Sequence, residues 1–282
     1  MPFSNARPAQ TLGAWRLTRR LASDGRLLVY RAAAAGDLGP GSYVLKALRQ
    51  TEPRDEIART LLEREAIVAA EVNQPHLASV VAASFAGTPA HLVLPYLEGI
   101  TLRRLLAASD ALSVSFALAI TRQVASAMAA LHAAGWLHNQ IRPEHVVVSP
   151  QGHATLIDLT GARKLETSEC DSQGIVPPAL PYAAPEIFSR FRLTAAADTY
   201  ALGVLLFEAI AGRPPFIEGS LSRLAAAHRK QAPPDVRDAR PYISSDVAEL
   251  VRRMLAKEPL RRPSDDQLVR WLAELEVEEL IY

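Results

Sequence analysis

A chain of 282 residues with 49% hydrophobic and 22% charged side chains can bury a full core, as one two-lobed domain or two small ones, and its composition excludes intrinsic disorder. Thirty-one basic against 30 acidic residues leave a formal charge of +1, so there is no diffuse field to hold nucleic acid or an anionic membrane. The single cysteine, Cys170, can form no internal disulfide, and the N-terminus lacks the apolar core of a secretion signal; both point to a reducing cytoplasm.

Residues 1–13 read as a flexible polar arm. From Trp15 to Leu48, short apolar runs are separated by Ser-Asp-Gly at 23–25 and Gly-Pro-Gly at 39–41, which predicts consecutive antiparallel strands with Asp24-Gly25 as a hairpin turn. A helix follows from Arg54, with Ile57, Leu61, Val68 and Val72 as its inward stripe. Glu65 falls on that stripe, and a carboxylate pointing into a core needs a cation.

The run HLVLPYLEG from His91 predicts a strand leading into a linker, and Leu102 opens a mostly helical half. Two alanine-rich stretches, from Phe116 and from Thr194, are long enough to raise a membrane question. Arg122, Asp198 and Glu208 interrupt them, which favours buried core helices over a membrane span. The predicted fold is α+β: a β-rich lobe over 14–96, a hinge over 97–101 and a larger helical lobe over 102–282, with a cleft between the lobes where ligands tend to sit.

Several motifs occur in register: YVLK ending at Lys46, Glu65 in the helix, HNQIRPEHV over 138–146, ATLIDLTGAR from Ala154, YAAPE ending at Glu186, DTYALG from Asp198, and KEPLRRP containing Arg262. In this order they resemble the eukaryotic-like Ser/Thr protein kinases of bacteria, from about Trp15 to about Leu272. The resemblance implies a nucleotide site lined by Val29, Val44, Leu94 and Tyr96, with Lys46 gripping the α and β phosphates of ATP and Glu65 paired to it. Only four of the 31 basic residues are lysines, which suggests that position 46 keeps Lys for its compact point charge. A bracing ion pair without a ligand is the alternative. The resemblance also assigns Asp158 to metal binding, pairs Glu186 with Arg262, and has Asp198 hold the backbone of the loop after His138.

The departures from the family's pattern fall on its chemistry. Gln140 stands at the position of the catalytic base, and an amide has no useful basicity near neutral pH; a positioned base is worth about 10²–10⁴-fold. His145 replaces the Asn that holds a second Mg²⁺, a hard ion that prefers oxygen ligands. Ala22, Asp24 and Leu27 occupy the glycine positions of the phosphate loop, and Val44 narrows the adenine pocket. Thr160 replaces a hinge-like Gly, Ala179 a Thr, and Asn139 the Arg that receives a phosphate on the activation segment, so phosphorylation of Thr167, Ser168 or Ser172 would order little. Arg142, in place of a catalytic-loop Lys, is the mildest change.

Two readings follow. One is a pseudokinase: a protein-binding module, with an unidentified protein partner, that takes ATP and Mg weakly or not at all; a nucleotide-sensing switch is a variant of it. The other is a slow ATP-dependent Ser/Thr kinase in which Lys46, Asp158 and Arg142 polarise ATP and Gln140 guides the hydroxyl. The chain ends soon after its last helix, in ELEVEELIY, which leads to the expectation of a free-standing cytoplasmic protein.

Overall fold

The computed structural model describes residues 10–23, 26–49, 55–86, 89–165, 179–189 and 193–281. Asp24-Gly25, Cys170 and the candidate phosphorylation positions Thr167, Ser168 and Ser172 lie outside them. The chain divides into two compact units, Met1–Ala70 with Ala78–Leu97, and Glu71–Leu77 with Glu98–Tyr282.

The first unit is an antiparallel sheet of β1 (Thr11–Leu12), β2 (Trp15–Ser23), β3 (Leu27–Ala34), β4 (Tyr43–Leu48), β5 (Ala82–Ser84) and β6 (His91–Pro95), in the order β1-β2-β3-β4-β6-β5. Side chains alternate across it. Ala32, Leu45, Ala47 and Val93 form a core on one face, with Leu12, Trp15, Leu17 and Tyr43 packed on them. Between β3 and β4, Gly41 has φ +96°, and a Cβ there would lie 2.2 Å from the Ala32 carbonyl oxygen, so only glycine closes this turn.

The expected arm extends too far. Thr11 and Leu12 pair with Arg16 and Trp15 through a turn with Gly13 at φ +57°, and Trp15 packs edge-on against Tyr43 at 4.9 Å. That aromatic contact ties the short strand to the sheet.

Helix α1 (Glu56–Glu71) starts where Asp55 accepts the Ala58 amide at 3.0 Å, while Arg26 holds both Asp55 oxygens at 2.7 and 2.9 Å. Its inward residues are Ala58, Leu61, Leu62, Glu65 and Val68. Ile57, expected on this stripe, is 44% exposed, and Val72 is buried but lies beyond the helix end. The stripe is centred between Leu61 and Leu62, so at 3.6 residues per turn Ala58 points inward and Ile57 rotates out.

In the second unit, β7 (Ile100–Thr101), β9 (Val146–Val148) and β10 (Ala154–Leu156) form a small sheet, and β8 (Trp136–Leu137) pairs with β11 (Arg163–Lys164). Residues Glu71–Leu77, expected in the β-rich half, belong here: the His76 carbonyl accepts from the Leu156 amide at 2.8 Å, and Leu77 bridges Leu156 in parallel. The helices are α2 (Leu102–Ala108), α3 (Val114–Ala133), α4 (Ala195–Ala211), α5 (Leu221–Lys230), α6 (Ser245–Met254) and α7 (Asp265–Ile281).

Helix α4 is buried continuously from Ala197 to Ile210, and Gly212 ends it in the left-handed region with its N–H on the Glu208 carbonyl. Against α6, a Cβ on Gly203 would stand 2.7 Å from the Met254 Cβ, so the close approach depends on glycine. Among the described residues, α3 is the one helix long and apolar enough to cross a membrane by length and composition. Within the protein, Leu118, Ile120, Val124, Met128 and Leu131 of α3 are buried, and Arg122 binds Glu276 of α7. A strand-built unit and a helical unit make the fold α+β.

Candidate active site

The sequence-predicted residues fall in both units. In the first, Lys46 leaves β4 on the face opposite the Leu45–Ala47 core, and its ammonium donates to both Glu65 oxygens at 2.7 and 2.8 Å. Glu65 is 1% exposed, so this is the cation its place in the helix demanded. Cross-strand register puts Val29 and Leu92 level with Lys46, and Arg31 and Leu94 level with Val44, all on one face. Leu94 is buried, and Val29 and Val44 are half-buried. Tyr96 follows β6, fixed by its amide on the Ser42 carbonyl, and the Arg31 guanidinium lies 3.9 Å from its ring centre. Arg31 was missed in the sequence because nothing local marks it.

In the second unit, the segment after Leu137 is held between the two small sheets. Asp198 accepts the amides of His138 and Asn139 at 2.7 and 2.8 Å, and Asn139 takes φ +63°, which its short polar side chain tolerates. Burial opposes charge on Asp198, but His132 and the two amides outweigh it and hold the carboxyl below its ordinary range. His132 lies between Asp198 at 3.1 Å and Asp265 at 2.9 Å; burial disfavours its charged form, yet the two carboxylates raise its pKa to about 9. His138 donates from Nε2 to the Ile157 carbonyl and accepts the Gln140 amide on Nδ1, so the ring is neutral, and burial pushes its pKa down.

Gln140 is 4% exposed, and a Cβ on Gly161 would lie 2.3 Å from its Cγ. With Asn139, Ala179 and Asp198 it lines a space of only about 10 Å³, the size of about one water probe. The main-chain carbonyl of Gln140 accepts from His145 Nδ1 at 2.9 Å, which assigns the proton to Nδ1 and leaves Nε2 as an acceptor. Arg142 Nε donates to that nitrogen at 3.3 Å. Asp158 Oδ2 lies 3.3 Å from the same nitrogen, but burial lowers the His145 pKa to about 4, so at neutral pH this contact joins a carboxylate to an uncharged ring.

Asp158 has φ +69°, and its Oδ1 accepts the Thr160 hydroxyl at 2.7 Å. Thr160 therefore does more than restrict the backbone: its side chain clamps the carboxylate. Leu159 is buried beside it. One carboxylate and one imidazole are a poor set for a pair of Mg²⁺ ions, and no group of three or more His, Cys, Asp or Glu with metal-ligand geometry occurs among the described residues. The donor set does not fit two magnesium ions.

The anchors are well formed. Arg262 donates to both Glu186 oxygens at 2.7 and 2.9 Å and to the carbonyls of Ala196, Ala256 and Lys257, with none of its side chain exposed. A second network escaped sequence reasoning: Arg103 binds Glu144 at 2.8 Å, Glu208 at 2.7 Å and the Tyr182 hydroxyl at 2.5 Å, and Tyr182 donates to Glu208 at 2.5 Å. Glu144, the one carboxylate near Gln140 in the sequence, is bound into it; despite burial, Arg103 holds it below its usual range. The visible signal was Glu208, an acid within an apolar helix that required a cation.

Residues 30–272 match the model of the protein kinase domain. The chain is 30% identical over 256 residues to the serine/threonine-protein kinase PknE of Mycobacterium tuberculosis, covering 91% of this chain and 45% of PknE. It is 28% identical to the probable serine/threonine-protein kinase pknA2 of Bifidobacterium longum, over 93% of this chain and 35% of that one. To the probable serine/threonine-protein kinase PknB of Lactococcus lactis it is 25% identical, over 89% and 40%. The chain spans less than half the length of these relatives. Motif order, strand-built and helical units and a match over most of its length agree: the chain belongs to the protein kinase family.

Proposed function

We propose that this kinase domain is a pseudokinase: a cytoplasmic regulatory module that binds a protein partner and transfers phosphate poorly or not at all. The observation that carries the reading is Gln140, an amide at the position of the base, buried against Gly161. An amide can orient a hydroxyl but cannot accept its proton. The neutral His145 beside Asp158, and the engagement of Asp158 by Thr160, weaken the case for Mg²⁺ in the same place. ATP and Mg are accordingly proposed as weak ligands, and nucleic acid is not proposed as a partner.

A second reading, a slow Ser/Thr kinase, is favoured by one observation, the two-point pair of Lys46 with Glu65. Phosphoryl transfer relies on positioning and charge, so a lost base lowers the rate without abolishing it. The deciding experiment measures incorporation of labelled γ-phosphate into the protein and into a generic substrate, with Asp158→Asn as control. The pseudokinase reading expects equal incorporation by both proteins; clear incorporation that Asp158→Asn abolishes would establish the slow enzyme instead.

A further inference from the structure

Outside the phosphotransfer residues, the second unit carries another concentration of charge. Helix α6, the loop after it and the face of α7 bearing Trp271 enclose a cavity of about 790 Å³, lined in part by Arg252, Arg253, Lys257, Arg261 and Leu260. Arg262 also borders it but is committed to the buried Glu186. Arg252, Arg253 and Arg261 are 68%, 55% and 73% exposed at their side chains.

The carboxylates there do not balance the cations. Arg252 and Arg253 share one acid, Glu249, at 2.6 and 2.8 Å, and Arg261 pairs with Glu258 at 2.8 Å. Lys257 has no carboxylate within ion-pair distance among the described residues; its ammonium lies 4.4 Å from the centre of the Phe216 ring and makes only long contacts, 3.4 Å to the Tyr200 hydroxyl and 3.5 Å to the Ala227 carbonyl. Four cations against two carboxylates leave an excess of two positive charges around one cavity.

That excess matches a phosphate monoester, which carries about −1.5 to −2 at neutral pH and accepts bidentate hydrogen bonds from guanidinium forks. A single carboxylate would compete with Glu249 and Glu258 on equal terms. Beside the arginines, Leu260 is completely exposed, and Arg253 lies 5.4 Å from the centre of the Trp271 ring. These apolar surfaces suit side chains that flank a phosphorylated residue and are of no use to a free phosphate. An adjoining cavity that shares Pro233 and Arg252 is lined by Asp235, which pairs with Arg237 at 2.7 Å, and by Asp246 and Glu249, so its acids outnumber its arginines by one. Acids next door disfavour an extended polyanion such as RNA or a lipid surface, and so favour a compact anion on a short segment.

We propose that this cavity binds a phosphorylated peptide segment of a partner protein, its phosphate held by Arg252, Arg253 and Arg261 and its neighbours resting on Leu260 and Trp271. The proposal requires no phosphotransfer by this chain and is independent of the reading of Gln140.

The test uses the full chain and fluorescence anisotropy with a labelled peptide pool, one fixed phosphoserine between four randomised positions on each side, alongside its serine twin. Binding of the phosphorylated pool at least tenfold tighter than the twin is expected, with at least a tenfold loss in the exposed triple variant R252Q/R253Q/R261Q and no loss in R223Q on α5. A loss in the double variant R252Q/R253Q that is smaller than in the triple variant, with Arg261 present, would agree with three graded contacts, and full affinity in the double variant would overturn the proposal. Equal binding of the two pools overturns the proposal, as does full affinity in a folded triple variant. It also fails if inorganic phosphate displaces the pool at equal concentration, which would mark an anion site with no peptide recognition. A 20-nucleotide RNA or phosphatidylserine vesicles binding more tightly than the pool would replace it with a polyanion surface.

Discussion

Two groups of residues in the second unit answer the same problem, how to hold a loop in place, in opposite ways. At the anchors each buried charge meets an opposite charge: Arg262 meets Glu186, and His132 stands between Asp198 and Asp265. At the phosphotransfer positions charge has been withdrawn. Gln140 is an amide, His145 is a neutral ring, and the ring is held by the main-chain carbonyl of residue 140 rather than by its side chain. The shape of the segment after Leu137 is therefore fixed by Asp198 from behind and by local hydrogen bonds, none of which requires the chemistry that the positions serve elsewhere in the family. Shape and chemistry are separable here because different atoms carry them.

The largest effect that could break the comparison is loss of an anchor. Arg262→Ala leaves Glu186 buried and uncompensated, and is expected to cost about 3–5 kcal/mol in urea unfolding. Gln140→Ala, which removes an uncharged side chain, is expected to cost about 1 kcal/mol. Equal losses would mean that the phosphotransfer segment is as much a keystone as the anchors.

A change at the chemical positions should move rate and leave stability nearly alone. Restoring the family's residues with Gln140→Asp and His145→Asn together is expected to raise γ-phosphate incorporation by about 10²-fold, at the low end of what a positioned base contributes, because Ala22 and Leu27 still stand where the family has glycines. Single-turnover assays with ATP and Mg²⁺ would measure it. No gain in a folded double variant would move the defect from the loop after Leu137 to the first unit.

The two histidine settings give the comparison a pH signature. His132, raised to about 9 from an unfolded value near 6.5, adds stability that is complete below pH 6.5 and fades as pH rises through 9. His145, lowered to about 4, acts the other way: its contribution is complete above pH 6.5 and fades as pH falls through 4. Unfolding free energies from pH 4 to pH 10 should therefore fall at both ends. His132→Asn is expected to flatten the alkaline limb and His145→Asn to lessen the acid limb, which it shares with the buried His228, also lowered to about 4; a His132→Asn variant with an unchanged alkaline limb would remove the charged anchor from this account.

How far the sequence foretold these arrangements depended on whether the partner was local. Glu65 announced its need of a cation from its place on a helical stripe, and Lys46 lay 19 residues away in a strand that could be recognised. Glu208 made the same announcement, but Arg103 is 105 residues earlier, where no spacing rule reaches. His132 likewise gave no sign, since its two carboxylates come 66 and 133 residues later and only the fold brings them together. The misplacement of Ile57 has a simpler cause: in an alanine-rich helix Ala58 competes for the core, and hydrophobic size is a poor guide to which side turns in.

The smallest effect expected is at Thr160, where the two groups of residues come nearest in character. Its hydroxyl donates to Asp158 at 2.7 Å while the backbone of Asp158 sits in the left-handed region, so one neutral donor holds a charged side chain on a strained residue. Thr160→Val keeps the shape and removes the donor, and should cost about 0.5–1 kcal/mol, less than an anchor because Asp158 is 28% exposed at its side chain and water can replace the bond. A double-mutant cycle with Asp158→Asn isolates the contact. A coupling of about 1 kcal/mol would show that Thr160 acts on the carboxylate itself; no coupling would leave its β-branched backbone effect as the whole of its role, and Asp158 would then be as open to a ligand as in any relative that keeps glycine there.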